Sequence, residues 1–396
     1  MAKELEQQSL RDYGIRKKQL RRRRIIFVFV LLLIIVTIGV VYFMKLQNRT
    51  YQGFQIENRV ANEGSNSVSY LSYGSAIVRY SRDGATAFNK EGNLLWNGSY
   101  EMKDPIAATC GKYVVIADRG DKAIYIFNEK GVVNNFTTLH DITKVEVAKQ
   151  GVVAALMEDE ETSYIEMFSE DGELLTGQSS TYINKDGYPI DIALSEDGTK
   201  LVVSYFSITT GVLQSKVAVY NFGEVGQSEN NRLVGGFDYE EVLIPRVSFL
   251  NNDTACAYKE NGFVLYSIRE KPSVIHEEVF DQKVQSIFHN EKYTGVILDK
   301  EDGSNQYRLL LYDLKGKNIL DKKIDFDYDK VMISGDDIIL HNNLACLILN
   351  TKGRKKFQQT FVSNVAAFFP INNTDLYFLV DASEICEIKL VEQEAK

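Results

Sequence analysis

A short turn sequence recurs along this chain, and its recurrence constrains the fold more than any other feature. Each copy is a β-rich apolar run, one small polar residue, two residues that are mostly polar and, in most copies, a glycine. The apolar runs of seven copies end at Phe88, Phe127, Phe168, Tyr220, Tyr266, Tyr312 and Leu349. Asn, Asp or Ser at the first position of a turn and Gly at the fourth suit a type I turn. Each copy therefore predicts a hairpin between two strands.

The spacing of these turns predicts the architecture. The copies recur at intervals of roughly 40 to 50 residues, and repeats of about this length with four strands are typical of propeller blades. Short β-rich runs fill each interval, for example residues 106–110, 113–117, 123–128 and 132–136. Helical periodicity is absent after residue 45, which excludes the helical solenoids of similar period. We therefore expect an all-β protein, a β-propeller of about eight four-stranded blades, with seven blades as the alternative.

The two ends of the repeat region predict how the ring closes. The last unit contains three candidate strands, at 365–369, 376–380 and 385–390, and is one strand short. A strand within 54–60 is available to complete it, and closure removes exposed sheet edges. The expected domains are a stalk with this possible closing strand at 45–66, the propeller at 67–391 and a C-terminal tail at 392–396.

The N-terminal segments predict a membrane anchor. Residues 25–44 contain no charged side chain and follow the basic run 21–24. As a helix, such a segment is long enough to span a hydrocarbon core of about 30 Å. The positive-inside rule then makes residues 1–24 a cytoplasmic tail, residues 25–44 a single transmembrane helix in contact with membrane lipid, and the propeller extracytoplasmic. A cleaved signal peptide is the alternative, but its apolar region is usually only about 7–15 residues long.

Two stretches resemble repeats of known propellers. Ala-Leu-Ser-Glu-Asp-Gly-Thr-Lys-Leu-Val-Val at 193–203 resembles a strand pair of WD40-type propellers. Ala-Phe-Asn-Lys-Glu-Gly-Asn-Leu-Leu-Trp at 87–96 is similar to the repeat of quinoprotein-like propellers, although Trp96 is the only tryptophan. The whole layout resembles an uncharacterised family, a domain of unknown function in Gram-positive anaerobes. Its members have a basic N-terminus, one membrane helix and an extracytoplasmic propeller. The resemblance implies this fold and location and no known activity.

Charge and motifs exclude several classes of function. The net charge is −9, and residues 1–24 carry a net charge of +6 from nine Lys and Arg against three Asp and Glu, so the remainder of the chain carries −15. Nucleic acid is not an expected partner, because phosphate binding needs a clustered cationic face. The sequence has no G-x-S-x-G, H-E-x-x-H or P-loop motif. We therefore expect no enzyme activity, no catalytic residues and no cofactor.

Acidic residues and histidines offer weak metal candidates. Asp325, Asp327 and Asp329 have the spacing of the first ligands of an EF-hand loop, but Lys330 stands where that loop needs glycine. A solvated strand face is the preferred interpretation. Residues 158–161 are all acidic and predict a solvated hairpin tip. The chain has four histidines, in different repeat units, and a metal site requires the ring to bring them together: His140, His276, His289 and His341.

The cysteines test the register of the blades. Cys346 and Cys386 occupy equivalent positions in successive units. Equivalent positions in neighbouring blades are expected to lie farther apart than the limit of about 7 Å between Cα atoms for a disulfide. Both are therefore predicted to be free thiols.

Function is expected where the repeat is interrupted, at residues 179–188, 207–215 and 223–231, or in the central channel. The first hypothesis is a non-enzymatic binding or scaffolding module of the cell envelope, with an envelope protein as partner. The alternative is a ligand sensor or enzyme with a site in the channel, which requires carboxylates or histidines to converge there. A third hypothesis is a signalling input that is read out by residues 1–24.

Overall fold

The structure of this chain is a computed structural model that describes residues 27–39, 49–62, 68–175, 179–182, 187–300, 305–371 and 375–392. The chain divides into two units, Met1–Thr50 and Tyr51–Lys396. In the first unit, residues 27–39 form a helix, in which Thr37 Oγ1 donates a hydrogen bond to the backbone oxygen of Leu33 at 2.8 Å. The predicted tail 1–24 and the remainder of 25–44 lie outside the described residues.

The predicted membrane anchor is not supported. No helix in the part of the chain that the structure describes is long and apolar enough to cross a membrane. The prediction relied on the absence of charge over 25–44, of which the structure describes residues 27–39. The predicted single-pass location and the sidedness derived from it are therefore corrected, and the lipid contact of 25–44 is not shown.

The second unit is all-β. In its described residues, eight antiparallel sheets of four strands each form the blades. The strand β1 (Gly53–Ala61) belongs to blade 8. Blade 1 contains β2 (Ser69–Tyr73), β3 (Ala76–Tyr80), β4 (Gly84–Phe88) and β5 (Leu94–Ser99). Blade 2 contains β6 (Pro105–Cys110), β7 (Tyr113–Asp118), β8 (Ala123–Asn128) and β9 (Gly131–Thr137). Blade 3 contains β10 (Asp141–Val147), β11 (Val153–Glu158), β12 (Thr162–Phe168) and β13 (Ser179–Tyr182).

The remaining blades follow the same plan. Blade 4 contains β14 (Tyr188–Leu194), β15 (Lys200–Thr209), β16 (Val212–Asn221) and β17 (Leu233–Glu240). Blade 5 contains β18 (Arg246–Asn251), β19 (Thr254–Lys259), β20 (Gly262–Ser267) and β21 (Ser273–Val279). Blade 6 contains β22 (Val284–His289), β23 (Tyr293–Leu298), β24 (Tyr307–Asp313) and β25 (Asn318–Ile324). Blades 7 and 8 contain β26 (Lys330–Ser334), β27 (Asp337–His341), β28 (Ala345–Asn350) and β29 (Lys355–Thr360); and β30 (Val365–Pro370), β31 (Leu376–Asp381) and β32 (Glu384–Val391). The 3-10 helices Glu224–Gly226 and Asn230–Arg232 lie between β16 and β17.

The ring closes by pairing the two ends of the propeller sequence. Strand β1 pairs with β32, with Phe54 opposite Leu390 and Val60 opposite Ile385. The predicted closing strand is confirmed, and the blade count is eight rather than seven. Because β1 is the outer strand of blade 8, it covers an edge that would otherwise be open.

The hydrophobic core lies between blades. Each cluster of buried residues combines side chains from two neighbouring blades. Ile124 of blade 2 packs with Val145 of blade 3, and Ile77 of blade 1 packs with Phe378 and Ile385 of blade 8. Burial of these apolar faces, at about 25 cal/mol per Å², holds the ring together.

The recurring turns have the predicted geometry. In blade 7, the backbone N–H of Gly353 donates to the oxygen of Asn350 at 2.8 Å, and Asn350 Oδ1 accepts the N–H of Arg354 at 2.9 Å. Gly353 has a φ of +74°, which favours glycine. The register between β28 and β29 shifts beside the turn, as in a type I turn with a bulge. The same contacts recur around Asp313.

The topology defines two faces of the propeller. Consecutive strands of a blade are antiparallel. Connections from the second to the third strand, and from the fourth strand to the next blade, therefore lie at one end, which we call the upper face. Hairpins that join the first to the second or the third to the fourth strand lie at the other end, the lower face, and these include the recurring turns. The first strands of neighbouring blades contact each other, as β10 does with β14 and β14 with β18, so they line the central channel.

Candidate functional site

A cavity of about 610 Å³ lies between the first strands of blades 2 to 5. We call it the channel cavity. Many of its lining residues lie at or near the starts of these strands, which places the cavity at the upper end of the channel. Its apolar walls include Ile106, Ala108, Pro189 and Ile190, and its charged residues are Arg119, Lys144, Glu146, Asp191 and Arg246. Apolar walls with a few placed polar groups are typical of ligand sites.

Asp191 is the buried anchor of the charged group. Its exposed fraction is 1%. Lys144 Nζ donates to Asp191 Oδ1 at 2.6 Å and to the backbone oxygen of Ile192 at 2.7 Å. The backbone N–H of Val247 donates to Asp191 Oδ2 at 2.8 Å. A buried carboxylate needs such partners, and those of Asp191, on blade 4, come from blades 3 and 5.

Glu146 and Arg246 flank this pair. Lys144 Nζ lies 3.1 Å from Glu146 Oε1, and Arg246 Nη1 lies 3.5 Å from Asp191 Oδ1. The side chain of Arg246 is 63% exposed and that of Glu146 is 30% exposed. Desolvation by the surrounding protein raises the pKa of Glu146, and the Lys144 cation opposes this rise. The Glu146 carboxyl therefore binds a proton more readily than an exposed glutamate.

Bulges in the first strands help to position these groups. The pairing of β10 with β11 shifts register between Ile142 and Lys144, and that of β14 with β15 shifts between Pro189 and Asp191. A bulge bends a strand and redirects its side chains. Lys144 and Asp191 thus follow corresponding bulges in neighbouring blades, and closure of the blades against each other brings them together.

A second cavity, of about 550 Å³, lies on the same face beside blade 3. Arg119 lines both cavities. The rings of His140 and Tyr164 stack with centroids 3.7 Å apart. The Tyr164 hydroxyl donates to Asp159 Oδ2 at 2.7 Å, and this bond holds the pKa of Asp159 below its ordinary value. The acidic tip 158–161 is the connection from β11 to β12, and its first three residues line this cavity.

The sequence places the chain in a family. Residues 47–390 match a family of unknown function, DUF5711. The chain belongs to this family. The match spans the DUF5711 propeller from β1 to β32 and confirms the resemblance to an uncharacterised family with this fold. No curated protein matches the chain in sequence.

Solved structures resemble this DUF5711 chain in fold. BamB from Moraxella catarrhalis is 11% identical with a TM-score of 0.54, and the match covers 87% of this chain and 99% of that chain. A eukaryotic initiation factor is 10% identical with a TM-score of 0.54, covering 85% and 87%. AztD from Citrobacter koseri is 10% identical with a TM-score of 0.51, covering 77% and 87%. At these identities the likeness shows the β-propeller fold alone.

The candidate calcium residues lie in the connection from β25 to β26. Asp325, Asp327 and Asp329 are exposed, and Asp327 Oδ1 pairs with Lys300 Nζ at 2.9 Å. The preferred interpretation, a strand face, is wrong, because an extended connection that buries Phe326 shows the same alternation. Within the described ranges, no three His, Cys, Asp or Glu side chains are grouped as metal ligands.

The structure describes all four histidines and places none of them in the channel cavity. His140 lies between β9 and β10, His276 on β21, His289 at the end of β22 and His341 at the end of β27. Burial lowers the pKa of His289 and of His341 to about 4. Both are therefore neutral at pH 7.

The cysteines are free thiols. Cys346 lies on β28 and Cys386 on β32, which are the third strands of blades 7 and 8. Their equivalent placement and their free state agree with the prediction. Burial raises the pKa of Cys346 to about 12 and that of Cys386 to about 11, which suppresses thiolate reactivity.

Two of the three predicted interruptions lie on the face of the channel cavity. Residues 207–215 extend the hairpin of β15 and β16 on the upper face. Residues 179–188 include β13 and the start of β14, and 183–186 lie outside the described residues. Residues 223–231 lie on the lower face and include the 3-10 helices. The interruptions therefore do not form one surface.

Sequence reasoning missed Lys144, Glu146, Asp191 and Arg246, which we call the channel group. Lys144 and Glu146 lie within a short apolar strand, and Asp191 lies in another. The available signal was a charged residue inside an otherwise largely apolar strand of the repeat. The turn sequence did not reveal it, because the turns lie on the lower face.

Proposed function

We propose that this propeller is a non-enzymatic binding module and that it binds a protein partner with its upper face. The observation that carries this proposal is the convergence of Lys144, Glu146, Asp191 and Arg246 from three blades at one cavity. Its volume of about 610 Å³ lies within the range of about 300–1,000 Å³ that is common for ligand sites. A closed ring of blades holds these groups in place without a ligand.

The bonding of the lining residues supports binding rather than catalysis. Asp191 and Lys144 are committed to each other and to the backbone. The Thr143 hydroxyl donates to the backbone oxygen of Leu156 at 3.1 Å. A nucleophile requires a base within hydrogen-bond reach, and the described lining residues include no serine, cysteine or histidine.

Exposed apolar side chains on the same face as the cavity favour a protein partner. Leu139 is 73% exposed in the connection from β9 to β10, and Ile208 is 69% exposed near the tip of the hairpin of β15 and β16. Both connections belong to the upper face. Protein interfaces bury apolar surface in their core, and these side chains offer such surface on the face of the cavity.

Site-specific photo-crosslinking tests this proposal. A photoreactive amino acid replaces Ile208 or Leu139 in the full chain, and the matched control replaces Leu94, which is 59% exposed beside a recurring turn on the lower face. We expect the two upper positions to crosslink the same protein and the control not to do so. Ala108→Trp, which fills the channel cavity, is expected to remove the crosslink. Equal crosslinking from all three positions would contradict the proposal.

A second candidate function is a ligand sensor that uses the channel cavity itself. Two charged residues that line the cavity favour it. The Glu146 side chain is 30% exposed, and Arg246 has a long contact of 3.5 Å with Asp191, so both retain capacity to bind a ligand. Isothermal titration of the full chain with small charged ligands tests this function. Binding that Ala108→Trp abolishes supports it, and binding that this variant leaves unchanged contradicts it.

A further inference from the structure

The channel cavity contains two charged groups that are already satisfied. Lys144 Nζ contacts Asp191 Oδ1, the backbone oxygen of Ile192 and Glu146 Oε1 at 2.6, 2.7 and 3.1 Å. An ammonium group has three donors, so Lys144 has none left for a ligand. Asp191 uses one oxygen for Lys144 and the other for the backbone N–H of Val247. This pair forms a fixed base beneath the cavity.

Glu146 and Arg246 retain bonding capacity. Among the contacts of the described residues, the Glu146 carboxylate pairs with Lys144 through Oε1, which leaves most of its acceptor capacity unused. Arg246 has five N–H donors, and its nearest carboxylate contact is a long one of 3.5 Å from Nη1. Contacts of 3.1, 2.6 and 3.5 Å link Glu146, Lys144, Asp191 and Arg246 in series. A single small molecule is therefore able to contact both Glu146 and Arg246, the two ends of this series.

The charge of the group constrains what binds. Two cations and two carboxylates make it neutral when Glu146 is ionised, and the Arg119 guanidinium is paired with Asp104 at 2.7 Å. A simple anion would pair with Arg246 but would be repelled by the Glu146 carboxylate. A simple cation would pair with Glu146 but would be repelled by the Arg246 guanidinium. A ligand with both charges satisfies both groups.

We infer that the channel cavity binds a dipeptide-sized zwitterion, whose carboxylate pairs with Arg246 and whose protonated amine pairs with Glu146. This inference rests on the proposed binding role of the upper face. An arginine fork suits a carboxylate. The apolar walls formed by Ile106, Pro189 and Ile190 accommodate an aliphatic side chain of the ligand, and a volume of about 610 Å³ holds more than a single amino acid.

Calorimetry with matched ligands tests the inference. The probes for the full chain are glycyl-leucine, N-acetyl-glycyl-leucine, which lacks the amine charge, and glycyl-leucinamide, which lacks the carboxylate. We expect glycyl-leucine to bind, and each blocked analogue to bind at least about tenfold more weakly, as loss of a charged hydrogen bond predicts.

Variants assign each charge to its residue. Glu146→Gln is expected to remove the discrimination against the N-acetyl analogue only, and Arg246→Gln the discrimination against the amide only. Arg269→Gln is the control, because Arg269 is 77% exposed on the lower face, where it pairs with Asp253. Its affinities are expected to match those of the unmodified chain. Circular dichroism verifies that each variant is folded.

The outcomes separate the ligand class from the proposed function. Equal affinity for all three probes overturns the zwitterion inference. Absence of glycyl-leucine binding also overturns it, and the proposed function stands if Ala108→Trp still removes the Ile208 crosslink. If that crosslink is unaffected as well, both the ligand class and the proposed function fail.

Discussion

Asp191 is the residue on which the channel group depends, and its removal should destabilise the propeller. Asp191→Ala removes the partner of Lys144 Nζ at 2.6 Å and the acceptor of the Val247 backbone N–H at 2.8 Å. Asp191 is almost completely buried, whereas the side chain of Lys144 is 23% exposed. The substitution therefore leaves a partly buried cation without its closest carboxylate and a buried backbone N–H without its acceptor.

The expected cost follows from these contacts. Loss of one partner of a buried pair costs about 3–5 kcal/mol. Partial hydration of Lys144 places the value near the lower end, and the orphaned backbone N–H adds about 1 kcal/mol or more. We expect Asp191→Ala to lower the free energy of unfolding by about 3–5 kcal/mol. The control Asp321→Ala breaks a surface pair with Arg308, whose side chains are 40–47% exposed, and should cost about 1 kcal/mol or less.

Urea denaturation followed by circular dichroism measures both values. The double variant Lys144→Met with Asp191→Ala also removes the cation that has lost its closest carboxylate and should recover part of the loss, so the double-mutant cycle is expected to be non-additive. The reasoning is refuted if Asp191→Ala and Asp321→Ala cost the same. It is also refuted if the losses in free energy of unfolding from Lys144→Met and Asp191→Ala simply add in the double variant.

Three further predictions follow from the described contacts. His341 has a pKa of about 4 in the fold, against an ordinary value of about 6.5. As pH falls, the unfolded chain therefore binds a proton first, and about 3 kcal/mol of stability is lost between pH 6.5 and 4. Denaturation across this range should show a smaller loss for His341→Phe, and an identical pH profile would contradict the assignment. Gly316→Ala should destabilise more than Gly211→Ala in thermal melts, because both have positive φ but only at Gly316 does an added Cβ overlap the ring of His276, and equal shifts would contradict this. Cys346 is fully buried and should react with iodoacetamide only after unfolding, which mass spectrometry checks; rapid labelling of the native protein would show that the thiol is accessible.

The fold was largely predictable because its signal is local. The turn at Asn350 and Gly353 depends on contacts within one short segment, so contiguous residues encode it, and its recurrence predicts the blades. Eight blades were expected with seven as the alternative, because the last unit was one strand short and its completion required the pairing of β1 with β32. That pairing joins opposite ends of the propeller sequence, so no contiguous segment encodes it.

The incorrect predictions share a cause. The uncharged segment 25–44 predicted a spanning helix, and the alternation in 325–329 predicted a strand face. In both cases composition was treated as if it determined an element. Absence of charge by itself does not establish a spanning helix, and alternation of exposed Asp327 with buried Phe326 also occurs in a connection that packs on the core.

The sequence by itself determined the all-β class, the four-stranded repeat and its turns, since these follow from propensities and hydrogen bonds within short segments. Only the tertiary structure decided the closed ring of eight blades and the channel group. Lys144, Asp191 and Arg246 belong to three blades, and each alone is an ordinary charged residue in a strand. Their chemistry arises from proximity and burial, which exist only after the blades pack around a common axis.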